Sequence, residues 1–223
     1  MLPELSEEQV RHRIARRIAL DLEDGSFVNL GIGIPTLVSD YLPEGTTLLL
    51  QTENGAIGAG PKPEVDDWRF IAAGGRCVTL IPGASCVASD MSFGMIRGGH
   101  LDATVLGALE VDQEGNLANW WIPGKMVPGM GGAMDLVCGA KKVYVATSHT
   151  DKKGRPKLLK KCSLPLTAVG AVDVVVSEFA VVRRIEGRMT LCELAPEVTL
   201  EQLLEHTEME LASADPIVPM LGV

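Results

Sequence analysis

Residues 27–50 read FVNLGIGIPTLVSDYLPEGTTLLL, and this stretch decides the fold. Residues 27–30 form a short apolar run that reads as a buried strand. The glycines and proline of Gly31 to Pro35 turn the chain into a short helical segment that ends near Tyr41 and Leu42. Pro43, Glu44 and Gly45 make a second turn, and residues 47–50 form a strand with no polar interruption. Strand, helix and strand in that order make a βαβ unit, whose strands must run parallel. Upstream, Ser6 and Gln9 have the S-x-x-Q spacing of a capping box. Val10, Ile14, Ile18 and Leu22 then recur every four residues, which predicts a helix with one apolar stripe, closed by Asp24 and Gly25.

Downstream, residues 78–81, 103–111, 143–147 and 174–182 are β-branched apolar runs bounded by Gly, Pro or Asp and are expected to be strands. Asp112 to Gly115 reads as a turn. Glu186 and Gly187 read as a hairpin turn between residues 181–182 and 189–194. Thr199 and Gln202 form a second capping box, opening a helix that reaches about His206. The expected fold class is α/β, a single open, mainly parallel sheet flanked by helices. It forms one domain over residues 1–207, followed by a C-terminal arm, 208–223, that packs on the domain or frays.

Composition narrows the function. The 223 residues are 46% hydrophobic but only 4% aromatic, so a large core must be built from aliphatic side chains. A net charge of -9, from 29 acidic and 20 basic residues, is wrong for a nucleic-acid binder. The five cysteines include no C-x-x-C pair, which disfavours a disulfide framework and a zinc site and suits a reducing cytoplasm. The N-terminus is charged and no apolar run approaches the length of a membrane span, so neither export nor a membrane location is expected.

The stretch LQTENG at residues 50–55 carries the strongest chemical signal. Glu53 follows an apolar strand directly, and ligands of open α/β sheets gather at the carboxyl ends of strands. Asn54 and Gly55 permit positive φ and close approach of a ligand. By position alone, Glu53 serves equally well as a turn carboxylate that caps a helix or binds a neighbouring amide. The glycine loops at Gly31–Gly33–Ile34 and at Gly132–Ala133 are either tight turns or sources of backbone N–H groups for an oxyanion. Gly31-x-Gly33 is not a dinucleotide fingerprint, because Thr36 and a proline occupy the rest of it. The basic run that includes Lys152, Lys153, Arg155 and Lys157 is a solvated loop or a landing patch for phosphates. Arg97 to His100 and the Trp120–Trp121 pair are conspicuous but compatible with structural roles, and the four histidines give no metal-ligand pattern.

At QTENG the chain resembles the B subunits of the class I CoA-transferases that act on 3-oxo acids, whose signature S-E-N-G contains a catalytic glutamate. Thr52 stands where the serine is usual. The resemblance extends through residues 28–36, 82–85, 96–100, 104–108, 117–120, 122–136 and 159–166. Around Ala73 to Arg76 the chain is more similar to acetate– or butyrate–acetoacetate transferases than to succinyl-CoA or 3-oxoadipate transferases. The resemblance implies that Glu53 attacks an acyl-CoA and becomes a glutamyl-CoA thioester. It implies CoA as substrate rather than a tightly bound cofactor, short carboxylic and 3-oxo acids as the acyl partners, and no metal. It also implies an A subunit in an A2B2 assembly. A sugar-phosphate isomerase of similar fold and an acyl-CoA-binding regulator are the alternative classes.

Overall fold

Val28, Val105, Val145 and Val175 are each no more than 1% exposed, the mark of strands covered on both faces. The computed structural model describes residues 2–124 and 129–223, so part of the 122–136 block lies outside the described residues. The chain runs α1 (Glu7–Ala19), β1 (Phe27–Leu30), a 3-10 helix (Pro35–Tyr41), β2 (Leu49–Gln51), β3 (Ala56–Ala59) and β4 (Leu80–Cys86). Then come α2 (Ser89–Arg97), β5 (Ala103–Gly107), β6 (Glu110–Asp112), β7 (Leu117–Ala118), α3 (Ala133–Gly139), β8 (Val143–Ala146) and β9 (Leu158–Leu159). β10 (Val174–Val176), β11 (Ala180–Ile185), β12 (Arg188–Leu194), α4 (Leu200–Glu205) and β13 (Ala212–Pro219) complete it.

Ten strands form one sheet in the order β13-β12-β11-β10-β8-β5-β1-β2-β3-β4. Its centre, β10-β8-β5-β1-β2, is parallel throughout. β2-β3-β4 and β10-β11-β12 extend it antiparallel on either side. The crossover from β1 to β2 runs one way along the sheet, and that from β5 through α3 to β8 runs the other. Right-handed connections therefore put the 3-10 helix and α3 on opposite faces, with the switch of direction between β1 and β5. Both capping boxes form, Ser6 with Gln9 and Thr199 with Gln202. Residues 212–219 of the C-terminal arm add a parallel edge strand to β12. Among the described residues no helix is long and apolar enough to cross a membrane.

Three expected strands are corrected. Residues 103–111 split into β5 and β6, which belong to different sheets; β6 joins β7 and β9 in a small second sheet. Residues 174–182 split into β10 and β11 because Ser177 reverses the chain, its Oγ accepting from Ala180 N at 3.1 Å and Phe179 N at 3.3 Å. The strand expected at 78–81 begins at Leu80 and runs on through Pro82. Proline is tolerated there because β4 is the sheet's edge, where no ladder partner is missed. At the β11–β12 hairpin the expected turn forms, with Glu186 at φ 50° and Gly187 at φ 80°.

His149 sits just beyond the end of β8, fully buried, with Nδ1 3.0 Å from Ser177 Oγ and Nε2 2.9 Å from Thr207 Oγ1. Burial, with His206 nearby, holds its pKa down at about 4. Glu178, whose carboxylate accepts from His149 N at 2.9 Å, is pushed up by the same burial. Burial also lowers neighbouring Lys157. The unfolded chain protonates His149 near pH 6.5 and the folded chain only near 4. Its contribution is therefore intact above pH 6.5 and falls away as pH drops towards 4, by about 3 kcal/mol in all. Glu178 acts with the opposite sign. Denaturant titrations across this window are expected to show the loss in the parent and a flatter profile in His149→Gln; parallel profiles would assign the acid sensitivity elsewhere.

Candidate active site

Glu53 occupies the turn between β2 and β3, at the carboxyl edge of the parallel strands. Thr52 N donates to Ala56 O at 2.8 Å and Gly55 N to Thr52 O at 2.9 Å, closing the turn under the carboxylate. Gly55 has φ 123°, and a Cβ there would lie 2.1 Å from Val87 O, so only glycine lets the two segments approach. The close approach is thus made by the protein's own backbone and not by a ligand. Asn54 is exposed and donates to Ile71 O at 2.6 Å, tying the β3–β4 excursion to the turn.

Beneath the half-buried Glu53 lies a polar network inside an apolar sheet. Asn29 Nδ2 donates to Gln51 Oε1 at 2.9 Å, to Gln51 O at 3.1 Å and to Glu53 Oε2 at 3.3 Å. Gln51 Nε2 donates to Ser92 Oγ on α2 at 2.6 Å, and Ser92 Oγ donates to Thr52 O at 3.3 Å. Asn29, Gln51 and Ser92 are buried. Sequence reasoning missed all three. The signal was present for two of them, since Asn29 and Gln51 are amides in or next to all-apolar runs, where an unpaired polar group is costly.

Gly132, at the N-terminal end of α3, forms the opposite wall. A Cβ there would lie 3.2 Å from the Phe93 ring and 3.3 Å from Glu53 Cγ. Arg97 fixes this wall: its Nε donates to Asp135 Oδ1 at 2.7 Å, joining α2 to α3, and its guanidinium lies 5.6 Å from the Phe93 ring centre.

The structure thus brings Gly132 to Glu53, and it puts Gly31, Gly33 and Ile34 at the end of β1, the strand beside β2. Two of the backbone donors considered are already taken. Gly31 N donates to Val105 O at 2.8 Å, extending the ladder, and Ala133 N closes a turn on Met130 O at 3.3 Å. Gly33 has φ 93°, with open space where a side chain would be.

The basic run divides. Lys152 and Lys153 are exposed, whereas Arg155 pairs with Asp151 at 2.6 Å. Lys157 is corrected as a surface phosphate contact: it turns inward, with Nζ 3.1 Å from Thr147 Oγ1 and 3.4 Å from Ala108 O. This loop follows β8 at the same edge of the sheet as Glu53 but three strands from β2. Among the described residues no group of three His, Cys, Asp or Glu side chains could hold a metal ion.

A half-buried carboxylate held by one amide, with Gly132 close to its Cγ, is suited to attack an electrophile. Comparison with known proteins gives the family. The profile of the family described as Coenzyme A transferase matches residues 11–206. The acetate CoA-transferase subunit beta of Haemophilus influenzae is 55% identical over 203 residues, which cover 91% of each chain. The human mitochondrial succinyl-CoA:3-ketoacid coenzyme A transferase 2 is 47% identical over 222 residues, covering 97% of this chain and 43% of that one. The crystal structure of an Escherichia coli acyl-CoA transferase superposes with a TM-score of 0.75 at 22% identity, over 100% of this chain and 45% of that one, and shows the shared fold. The match to the profile and the identity along nearly the whole of the Haemophilus influenzae relative have one reading: the chain belongs to the coenzyme A transferase family.

Proposed function

We propose that the chain is the B subunit of a hetero-oligomeric CoA-transferase in which Glu53 carries CoA as a glutamyl thioester between two carboxylic acids. The observation that carries this reading is the geometry of Glu53, presented at the strand ends with one oxygen on the Asn29 amide and its Cγ against Gly132.

A carboxylate oxygen of Glu53 attacks the acyl-CoA carbonyl and expels CoA thiolate, leaving a mixed anhydride. The thiolate then attacks the glutamyl carbonyl and releases the first acid as its carboxylate. The acceptor carboxylate attacks the resulting glutamyl thioester, again expelling thiolate. Thiolate attack on the acceptor's acyl carbon then forms the new acyl-CoA and restores Glu53. One thioester replaces another, so the free-energy change is small and covalent catalysis divides the exchange into accessible steps. Negative charge develops on the glutamyl oxygen twice in the cycle, and the Asn29 amide donates to that oxygen without having to reorganise. CoA is a substrate, and no tightly bound cofactor takes part.

The subunit designation of the Haemophilus influenzae relative supports a separate A subunit supplying the other half of the site, and an A2B2 assembly is part of the same proposal. The higher identity to the acetate-type relative favours acetate and acetoacetate over succinate as the acyl partners. One methylene in a pocket is worth only about 1–3 kcal/mol, so the related acids are expected as poorer substrates. Five free cysteines suit a reducing cytoplasm as the site of action.

Mixing the complex, purified with its A subunit, with acetoacetyl-CoA and no acceptor is expected to add a CoA-sized mass to this chain, and Glu53→Gln is expected to abolish it. A parent complex that turns over without the adduct would falsify the nucleophile. Asn29→Ala is expected to lower kcat about a hundredfold with little change in KM, as loss of one oxyanion donor does. Gly132→Ala is expected to lower kcat about tenfold by displacing Glu53, with thermal stability nearly unchanged because the Phe93 ring can yield. A steady-state comparison in which Gly132→Ala loses stability but not turnover would remove the wall from the mechanism.

A further inference from the structure

Gln51 on β2, Asn29 on β1 and Thr104 on β5 form a row across three adjacent parallel strands, with register partners Asn29↔Gln51 and Asn29↔Thr104. They are 2%, 1% and 0% exposed. The neighbouring position on β5 is filled by Val105, and valine at 104 would serve packing equally well. A buried hydroxyl there is unfavourable unless it is used.

The hydrogen bonds of the row have one sense. Ser92 donates to Thr52 O, Gln51 donates to Ser92, and Asn29 donates to Gln51 and Glu53. Only in this sense does the Asn29 nitrogen face Glu53; with the sense reversed, its oxygen would face the carboxylate and repel it. The end of the chain is Asn29 Oδ1. That oxygen and Thr104 Oγ1 are both buried and without a hydrogen-bond partner among the described residues. One is an acceptor and the other a hydroxyl that can donate. They belong to register partners on strands about 4.8 Å apart, a gap that one rotamer change or one water molecule spans.

We propose that Thr104 is a positioning residue for the transfer reaction: its hydroxyl donates towards Asn29 Oδ1, directly or through one trapped water, and so keeps the Asn29 nitrogen on Glu53. The inference rests on the reading of Glu53 as the nucleophile. Thr104 touches no substrate and acts through Asn29 alone. Removing the hydroxyl leaves Asn29 Oδ1 without a donor, and turning the amide away from Glu53 becomes the relief.

The test uses the assembled enzyme with its A subunit. Thr104→Val is expected to lower kcat about tenfold with KM for acyl-CoA unchanged, and to lower the thermal midpoint only modestly, because the added methyl packing offsets part of the lost hydrogen bond. Thr104→Ser is expected to restore kcat to within about twofold of the parent. In an Asn29→Ala background, Thr104→Val is expected to have no further effect, since the group it positions is gone. Full kcat in Thr104→Val overturns the proposal. So does a loss that adds in full to that of Asn29→Ala, or a loss that tracks the thermal midpoint and is not rescued by serine. The CoA adduct is measured on the same samples. Its absence from the turning-over parent removes the Glu53 reading itself, whereas its presence with an unaffected Thr104→Val removes only the role of Thr104.

Discussion

One amide nitrogen, Asn29 Nδ2, faces three acceptors: the backbone and side-chain oxygens of Gln51 and the carboxylate of Glu53. An amide group has two hydrogens, so these bonds compete, and the carboxylate is held without being saturated. That balance suits a group that must be oriented yet remain reactive. It depends on the sheet. Parallel register puts Asn29 beside Gln51, and the turn after β2 brings Glu53 back over both. A shift of one residue would turn Asn29 to the other face, where α1 and the 3-10 helix lie, and would leave Glu53 without its donor.

The helices above the network carry the second constraint. Ser92 draws α2 onto Gln51, and the Arg97–Asp135 pair draws α3 onto α2. Together they bring Gly132 within a methyl group's width of Glu53. An exposed ion pair contributes little to stability. Its role here is to fix a distance, with the half-buried Phe93 ring beside Arg97 in the same wall. At the far side of the sheet a different device binds α1: the buried Arg17 donates from Nε to the buried Glu193 at 2.7 Å and from Nη1 to the half-buried Asp21 at 2.8 Å. Such a pair is poor evidence of stability in itself, but it specifies which face of α1 meets β12.

Much of this was legible in the sequence, and what was not has identifiable causes. β1 follows from an apolar run ended by Gly31, and the two terminal helix starts follow from their capping boxes. Glu53 stood out through the resemblance carried by residues 51–55, since by position alone a turn carboxylate reads equally well. The break at Ser177 was not, because the side chain that makes it looks like any small residue in a valine-rich run. Nor was the split after Gly107, where two strands that read as one belong to separate sheets. Lys157 was grouped with its exposed neighbours because charge runs are read by composition, while its orientation is set by the carbonyl of Ala108, far away in sequence. The buried amides of the site lay in plain view, but their meaning depends on register, which only pairing reveals.

The proposed chemistry sets a requirement that this chain does not meet by itself. Anhydride and thioester intermediates hydrolyse in water, so a site that makes them must be dry while they exist. This chain covers Glu53 from below with Asn29 and from one side with Gly132, which Phe93 backs. The Gly31–Ile34 loop beside it leaves Ile32 72% exposed, and Met91 on α2 is 55% exposed. A half-buried carboxylate is wet in the isolated chain, and exposed apolar side chains on the neighbouring elements offer a second surface something to pack on. On the reading of this chain as one half of a transferase, subunit assembly is therefore part of the chemistry. On that same reading the sheet of one chain builds the nucleophile, and the other chain completes the low-dielectric environment in which a single amide donor is worth most.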